Sequence, residues 1–503
     1  MRSFVWAHSA GEPSTSWFPL TVGDPYGPHP DNSVSAGAGD LDGPLHRRTL
    51  SRRQLLTTAA VGATGLVLGT QGGSAGAQSA TGNRRGRLTA QSPVIRQPGS
   101  RPNPSLAAGT EQLPEIENIV VVMMENHSFD NLLGMMGRGD GFALGADGKP
   151  TVALPDGQGQ LVHAFHMPSE CMTDGVGNDW NVGHGSYDNG TNRGFVEASS
   201  GEAVGYFDGD DIPFTWGLAK TFPLADRWFC SVIAQTDPNR RYLISGTSLG
   251  LINDSFPSPL PPNGTIFDSL NKYGISWKDY YSDLPTAGVY LPQLAKPDIT
   301  ANLVKMEEFF TDAAAGTLPQ FSLLDPNYTI QSEENPQNIQ FGDQFLSDAV
   351  SSVMSGPQWA KTLMIWTYDE WGGWYDHVPP PPAIPPDDVP PDLPPGSLPG
   401  GFDRYGFRVP GGVISPYAKK DYVSHTIYDH TSILKTIETK WNLPALTRRD
   451  ANAHDVLDMV DLKSKPAFLT PPRLPDPANP VQSYGCLATG PGQIPPPSAV
   501  TKA

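Results

Sequence analysis

The chain has 503 residues and carries 34 Lys and Arg against 52 Asp and Glu, a formal net charge of −18. That length suits one large α/β domain or two medium ones. The charge argues against a chain-wide polybasic grip on nucleic acid or anionic lipid, and three cysteines with no Cys-x-x-Cys pattern exclude a thiolate zinc site.

Residues 1–46 are rich in Gly, Pro and Ser and read as a disordered extension. Ser51-Arg52-Arg53-Gln54-Leu55-Leu56, an apolar stretch to Leu68 and the small residues Ala75-Gly76-Ala77 then form a twin-arginine export signal over 47–77. The stretch is too short and too rich in Gly and Thr to serve as a bilayer anchor. The expectation is passage through the twin-arginine machinery to a secreted, cell-wall or periplasmic location. Residues 78–112 read as a disordered leader, 113–468 as the main folded domain and 469–503 as an irregular proline-rich tail.

Within the domain, Asn118–Met124 is an apolar run rich in β-branched residues, the pattern of a strand buried on both faces. It ends abruptly in Glu125-Asn126-His127-Ser128-Phe129-Asp130. In open α/β sheets ligands bind at the carboxyl ends of strands, and a carboxylate beside an amide offers hard oxygen ligands to a divalent cation. A polar turn capping the next helix is the competing interpretation. The stretch 163–190, dense in His, Asn and aromatics, reads as loop. Thr236-Asp237-Pro238-Asn239-Arg240 is a turn that caps a helix, and a helix N-terminus presents free N–H groups to a phosphate. A strand is expected over 274–280, a helix over 302–315 stopped by Gly316, and a strand over 321–326. Thr362–Tyr368 is a second buried strand, running straight into Asp369-Glu370. Eleven prolines between Pro379 and Pro399 make a stiff surface excursion that forms one wall of the entrance. A helix after His430 places Ile433, Leu434, Ile437 and Trp441 on one face. Cys171 with Cys230 is the cysteine pair selected for a disulfide.

Glu125-Asn126-x-Ser128-Phe129-Asp130 early, with Tyr368-Asp369-Glu370-x-Gly372-Gly373-x-Tyr375-Asp376-His377-Val378-Pro379-Pro380 late, resembles the bacterial phosphoesterase family of phospholipases C and related acid phosphatases, within the alkaline-phosphatase-like superfamily. The resemblance runs from about Ile116 to about Leu462. It implies a single α/β domain with a mostly parallel sheet covered by helices. It assigns Thr236 as nucleophile, His184 and His425 as groups facing the phosphoryl oxygens, and Glu125, Asn126, Asp369 and Glu370 as oxygen ligands of one divalent cation. His430, beside Asp429, reads as structural. One departure stands out: Glu334-Asn335-Pro336 replaces the family's Glu-His-Pro, and an asparagine carries neither charge nor a transferable proton.

The implied function is a secreted metal-dependent phosphoesterase, foremost a phospholipase C releasing diacylglycerol from phosphatidylcholine-like lipid. A broad acid phosphatase is the alternative, and a secreted binding protein that has lost catalysis is the third reading. Partners are then a phospholipid or small phosphoester, the export machinery and a peripheral membrane contact, with no nucleic acid. Trp371, Trp374 and Tyr375 stand in the late motif, where an outward-facing ring would hold a choline group by cation–π contact.

Overall fold

Two seven-residue apolar runs set the centre of the sheet. Asn118–Met124 and Thr362–Tyr368 are buried at every position, as strands covered on both faces must be. In the computed structural model, residues 94–171, 176–256 and 259–480 and the backbone of 500–502 are described. The export signal and the extension before it lie outside them. In chain order the main sheet and its helices run β1 (Asn118–Met124), α1 (Phe129–Leu133), α2 (Trp180–Tyr187), α3 (Pro213–Thr221), β2 (Leu224–Ala225), α4 (Thr236–Ser245), α5 (Ile266–Lys272), β3 (Trp277–Tyr281), β4 (Leu303–Lys305), α6 (Met306–Ala315), β5 (Phe321–Asp325), α7 (Gln340–Ser355), β6 (Thr362–Tyr368), β7 (Gly411–Ile414), β8 (Val423–Ser424), α8 (Thr431–Trp441) and α9 (Arg448–Asn452).

The sheet has eight strands in the order β8-β2-β7-β6-β1-β5-β3-β4. From β6 to β4 every neighbouring pair is parallel, while β7 runs antiparallel to both β6 and β2. This is the mostly parallel, helix-covered α/β sheet expected. β1 and β6 pair from Asn118 opposite Thr362 to Met124 opposite Tyr368. The acids that follow each strand therefore leave the sheet side by side, and β5 brings Asp325 to the same edge.

Several local expectations shift. The helix expected over 302–315 begins only at Met306, because Leu303–Lys305 finds a parallel partner in Asp279–Tyr281 at the sheet edge. It does end at Gly316, whose φ of 72° is left-handed. The stretch around His184 is helical rather than loop: Asp179 caps α2 by accepting hydrogen bonds from the Asn181 and Val182 amides. Residues 94–112, expected to be disordered, run without helix or strand along the end of α8, with Gln112 N donating to Lys440 O and Gly99 N to Ala445 O. The selected disulfide is not formed. Cys171 is disulfide-bonded, but Cys230 is a free thiol sealed in the core, and Cys486 lies outside the described residues. Among the described residues no helix is long and apolar enough to cross a membrane.

Candidate active site

The parallel register of β1 and β6 builds the site. Asp369 N donates to Met124 O at 3.0 Å, and Asp369 Oδ1 accepts from the amides of Asn126 at 3.2 Å and Glu370 at 2.7 Å. Asn126 turns the chain with φ of 67°, a left-handed conformation that asparagine tolerates better than most residues. The Gly372-Gly373 pair then passes over it. A Cβ on Gly372 would collide with the Asn126 carbonyl oxygen, and both glycines have positive φ. Glu370 accepts from Gly372 N at 2.7 Å and from the Asn178 amide group.

Thr236 stands at the first helical position of α4, with Gln235 as the cap. Its hydroxyl is therefore not used for capping and lies 3.5 Å from Asn126 Oδ1. The loop before it is held by Asn239, whose Oδ1 accepts from the amides of Ser231 and Val232 and whose Nδ2 donates to the carbonyls of Val232, Ala234 and Gln235. One turn along the helix, the buried Arg240 guanidinium donates to Asp369 Oδ2 at 3.2 Å and Asp325 Oδ1 at 3.3 Å, and lies 3.4 Å from Glu125 Oε1. Burial works against that charge, but Tyr328, Asp369, Glu125 and Asp325 outweigh it and raise its pKa. Neither Asn239 nor Arg240 was singled out from sequence. The only signal was their place directly after Thr236-Asp237-Pro238.

Glu125, Asn126, Thr236, Asp369 and Glu370 are all buried at the ends of β1 and β6 and the start of α4, although the carboxylate oxygens of Glu125, Asp369 and Glu370 do not all lie within 4.8 Å of one another. Three of them are carboxylates, and the one guanidinium among them is shared with Asp325. Burial raises the pKa of Asp369 against the pull of Arg240, and burial together with Asp369 raises that of Glu370 well above the glutamate range. Buried acids short of positive charge, with an amide and a hydroxyl oxygen alongside, fit a hard cation.

The histidines divide. His184 lies on α2, its Nδ1 donating to Trp180 O at 2.8 Å. Burial lowers its pKa against that bond. With Ile233, Leu398 and Gly400 it lines a cleft of about 410 Å³, whose lining includes neither Thr236 nor the four ligand candidates. The preceding Gly183 packs against Trp371, next in chain to Glu370. His425 is not brought to the carboxylates: its side chain is 73 % exposed and its Nδ1 meets Asp226 at 2.9 Å. His430 meets the backbone beside them, with Nε2 donating to the Asp369 carbonyl oxygen at 2.5 Å and Nδ1 buried without a partner. Burial pushes its pKa down to about 4, against the Asp369 bond. Asn335 Oδ1 is also buried and unpartnered, three residues beyond Ser332, whose carbonyl accepts from Glu125 N at 2.9 Å. Trp371 and Trp374 are fully buried and Tyr375 nearly so, so none of these rings faces outward for a choline group.

The outer halves of the two motifs form a brace rather than a ligand set. Asp130, Asp376 and His377 bring carboxylate and imidazole atoms within 4.8 Å of one another, but the buried Arg408 occupies their centre, donating to Asp376 at 2.8 Å and Asp130 at 3.1 Å. Asp130 Oδ2 accepts from both N and Nδ1 of His377, and Ser128 Oγ donates to Tyr375 O.

Parallel sheet, strand-end acids and helix-borne hydroxyl define a phosphoester-handling α/β enzyme. The model of the Phosphoesterase family matches residues 116–444. Non-specific phospholipase C1 of Arabidopsis thaliana is 31 % identical over 404 residues, covering 72 % of this chain and 74 % of that protein. Phospholipase C B of Mycobacterium tuberculosis is 29 % identical over 414 residues, 70 % of this chain and 79 % of that one. A solved alkaline phosphatase superfamily protein from Vibrio parahaemolyticus shares 11 % identity over 71 % of this chain and 73 % of its own, with a TM-score of 0.35, and is too distant to bear on the site. The chain belongs to the Phosphoesterase family and is a hydrolase of phosphoester bonds.

The brace makes a pH prediction. Burial opposes the charged form of His377, but the hydrogen bond and charge of Asp130, with Asp376, outweigh it and the neighbouring Arg408, and its pKa rises above 6.5. A histidine whose folded pKa is raised contributes stability in full below its unfolded pKa and loses it as pH rises through the folded value. Chemical unfolding of wild type and His377→Gln should therefore show a gap that is widest near pH 6 and shrinks towards pH 9. A gap that grows with pH would contradict the assignment.

Proposed function

We propose that the protein is a secreted, metal-dependent phospholipase C that hydrolyses phosphatidylcholine-like diesters to diacylglycerol and the phosphorylated head group. The observation that carries this reading is the Thr236 hydroxyl at 3.5 Å from Asn126 Oδ1, held beside the buried acids Glu125, Asp369 and Glu370. Support for the substrate comes from relatives named as phospholipases C.

Glu125, Asn126, Asp369 and Glu370 would hold one divalent cation through oxygen. That ion would supply the charge that lowers the hydroxyl pKa and stabilises the phosphoryl oxygens. Thr236 Oγ forms its bond to phosphorus as the bond to the diacylglycerol oxygen breaks, and the hydroxyl proton leaves with the diacylglycerol. Water then adds to phosphorus, the Oγ–P bond breaks, the proton returns to Thr236, and the phosphorylated head group departs. Arg240 keeps α4 and the acids in register throughout. His184 lines a separate cleft beside the proline-rich segment, while His430 holds the Asp369 backbone carbonyl as a positioning residue. His425, exposed and hydrogen-bonded to Asp226, is given no direct part in this reading.

Exhaustive chelation should abolish hydrolysis of a soluble chromogenic phosphocholine diester, and Asp369→Asn should lower metal occupancy with the fold intact. The drop in kcat/KM should be about a thousandfold, about 4 kcal/mol of barrier. Undiminished turnover by metal-free protein would remove the ion from the account. A tenfold preference for a phosphate monoester over the diester would replace the phospholipase reading with the acid phosphatase one.

Export by the twin-arginine route belongs to the same proposal and is supported by Ser51-Arg52-Arg53-Gln54-Leu55-Leu56 with its apolar stretch. Replacing both Arg52 and Arg53 by Lys should hold the precursor in the cytoplasm. Unchanged export of that variant would reject the route.

A further inference from the structure

The proline-rich segment from Pro379 to Gly400 combines two properties that surface loops rarely share. Its backbone is pinned. Trp180 Nε1 donates to Leu398 O at 2.8 Å, Leu398 N donates to Asn181 Oδ1 at 2.7 Å, Asp392 N donates to Gly250 O at 2.8 Å and Pro386 O accepts from Arg448 N at 3.0 Å. Just beyond it, Phe402 anchors the chain in a small apolar cluster with Trp180 and Tyr242. Its apolar side chains nevertheless face outward. Of nine large hydrophobic residues exposed among those described, Val389, Leu393 and Leu398 all fall in this short segment, and Pro390, Pro394, Pro395 and Pro399 are exposed alongside them.

We propose that this strap is an interfacial docking surface that seats the protein on lipid bearing zwitterionic phosphocholine head groups. The cost that normally keeps loops out of a water-poor layer is the burial of unpaired backbone N–H and C=O groups. Here eleven residues are prolines with no N–H to bury, and the pinning bonds above satisfy further backbone groups from inside the protein. The strap can thus present apolar surface with little backbone penalty.

Charge selects the kind of lipid. Between 379 and 400 the acids are Asp387, Asp388 and Asp392, and there is no Lys or Arg. Asp388 pairs with Arg448 and Asp387 accepts from Thr247, which leaves the segment with no excess positive charge to offer an anionic layer. A phosphocholine surface presents its cations outermost and imposes no such repulsion. The backbone economy selects lipid over a proline-binding protein, because a protein groove can pair exposed backbone N–H groups with its own acceptors whereas a lipid layer cannot.

This inference rests on the phospholipid reading above, so the test separates docking from hydrolysis. The full chain, a Val389→Asp/Leu393→Asp double variant and Leu393→Trp would be floated with phosphatidylcholine vesicles. Each would also be assayed on a soluble monomeric phosphocholine diester. Neither position lines the His184 cleft. The double variant should lose vesicle binding by tenfold or more, and the Trp variant should bind at least as well as wild type with its emission shifted to the blue. All three should cleave the soluble diester within about twofold of one another. Vesicle binding unchanged in the double variant, wild-type protein that ignores the vesicles, or tighter binding to anionic than to phosphatidylcholine vesicles would each overturn the proposal. If no form cleaves the diester while flotation follows the expected order, docking stands and the phospholipase reading fails.

Discussion

Glu125, Asp325 and Asp369 emerge from three neighbouring parallel strands and are all buried around the single guanidinium of Arg240. Like charges at such separations in a water-poor interior repel strongly, and an arginine removed from their midst would leave them uncompensated at about 3–5 kcal/mol. The arrangement also sets geometry. Arg240 lies one helical turn from Thr236, so a guanidinium fixed on the strand ends determines where the hydroxyl stands. Glu370 adds a further acid without a further base, and that deficit of positive charge is what a divalent cation would remove. Structural and chemical demands therefore meet in the same few residues.

A second buried arginine repeats the logic further from the chemistry. Arg408 binds Asp130 from the early motif and Asp376 from the late one, locking the turn after β1 to the turn after β6. The consequence is that Glu125-Asn126 and Asp369-Glu370 are each held from two sides, by the sheet register behind and by this brace ahead. The proline strap leaves the late motif just beyond the brace and returns to cover Trp180 and His184. A side chain on Gly400 would collide with the His184 imidazole, so the strap and the helix that carries that histidine are fitted to one another at this point.

Apolar runs were the most legible feature of the sequence. Both central strands and the acids at their ends follow from hydrophobicity and from the rule that ligands gather where parallel strands finish. The helix carrying Thr236 was also readable, although its cap is Gln235. What stayed hidden depended on tertiary partners. Nothing local marks Arg240 as the shared counter-ion of three strand ends. His425 and His430 sit within five residues of each other, and only the tertiary placement of the turn before α8 makes His430 the one that meets the Asp369 carbonyl. The stretch around His184 looked irregular because it is dense in His, Asn and aromatics, yet Asp179 caps it into a helix. The Cys171–Cys230 choice failed because spacing carries no information about which thiol the core encloses.

The central claim is that Thr236 attacks phosphorus within this carboxylate cluster. Acid quenching of the metal-loaded enzyme during turnover of a phosphocholine diester, followed by peptide mass spectrometry, tests it most directly. The account predicts a phosphocholine adduct on Thr236 that is absent in Thr236→Ala, together with measurable turnover in Thr236→Ser. A Thr236→Ala enzyme with near-normal rates and no adduct on any residue would contradict it and leave direct attack by water as the mechanism.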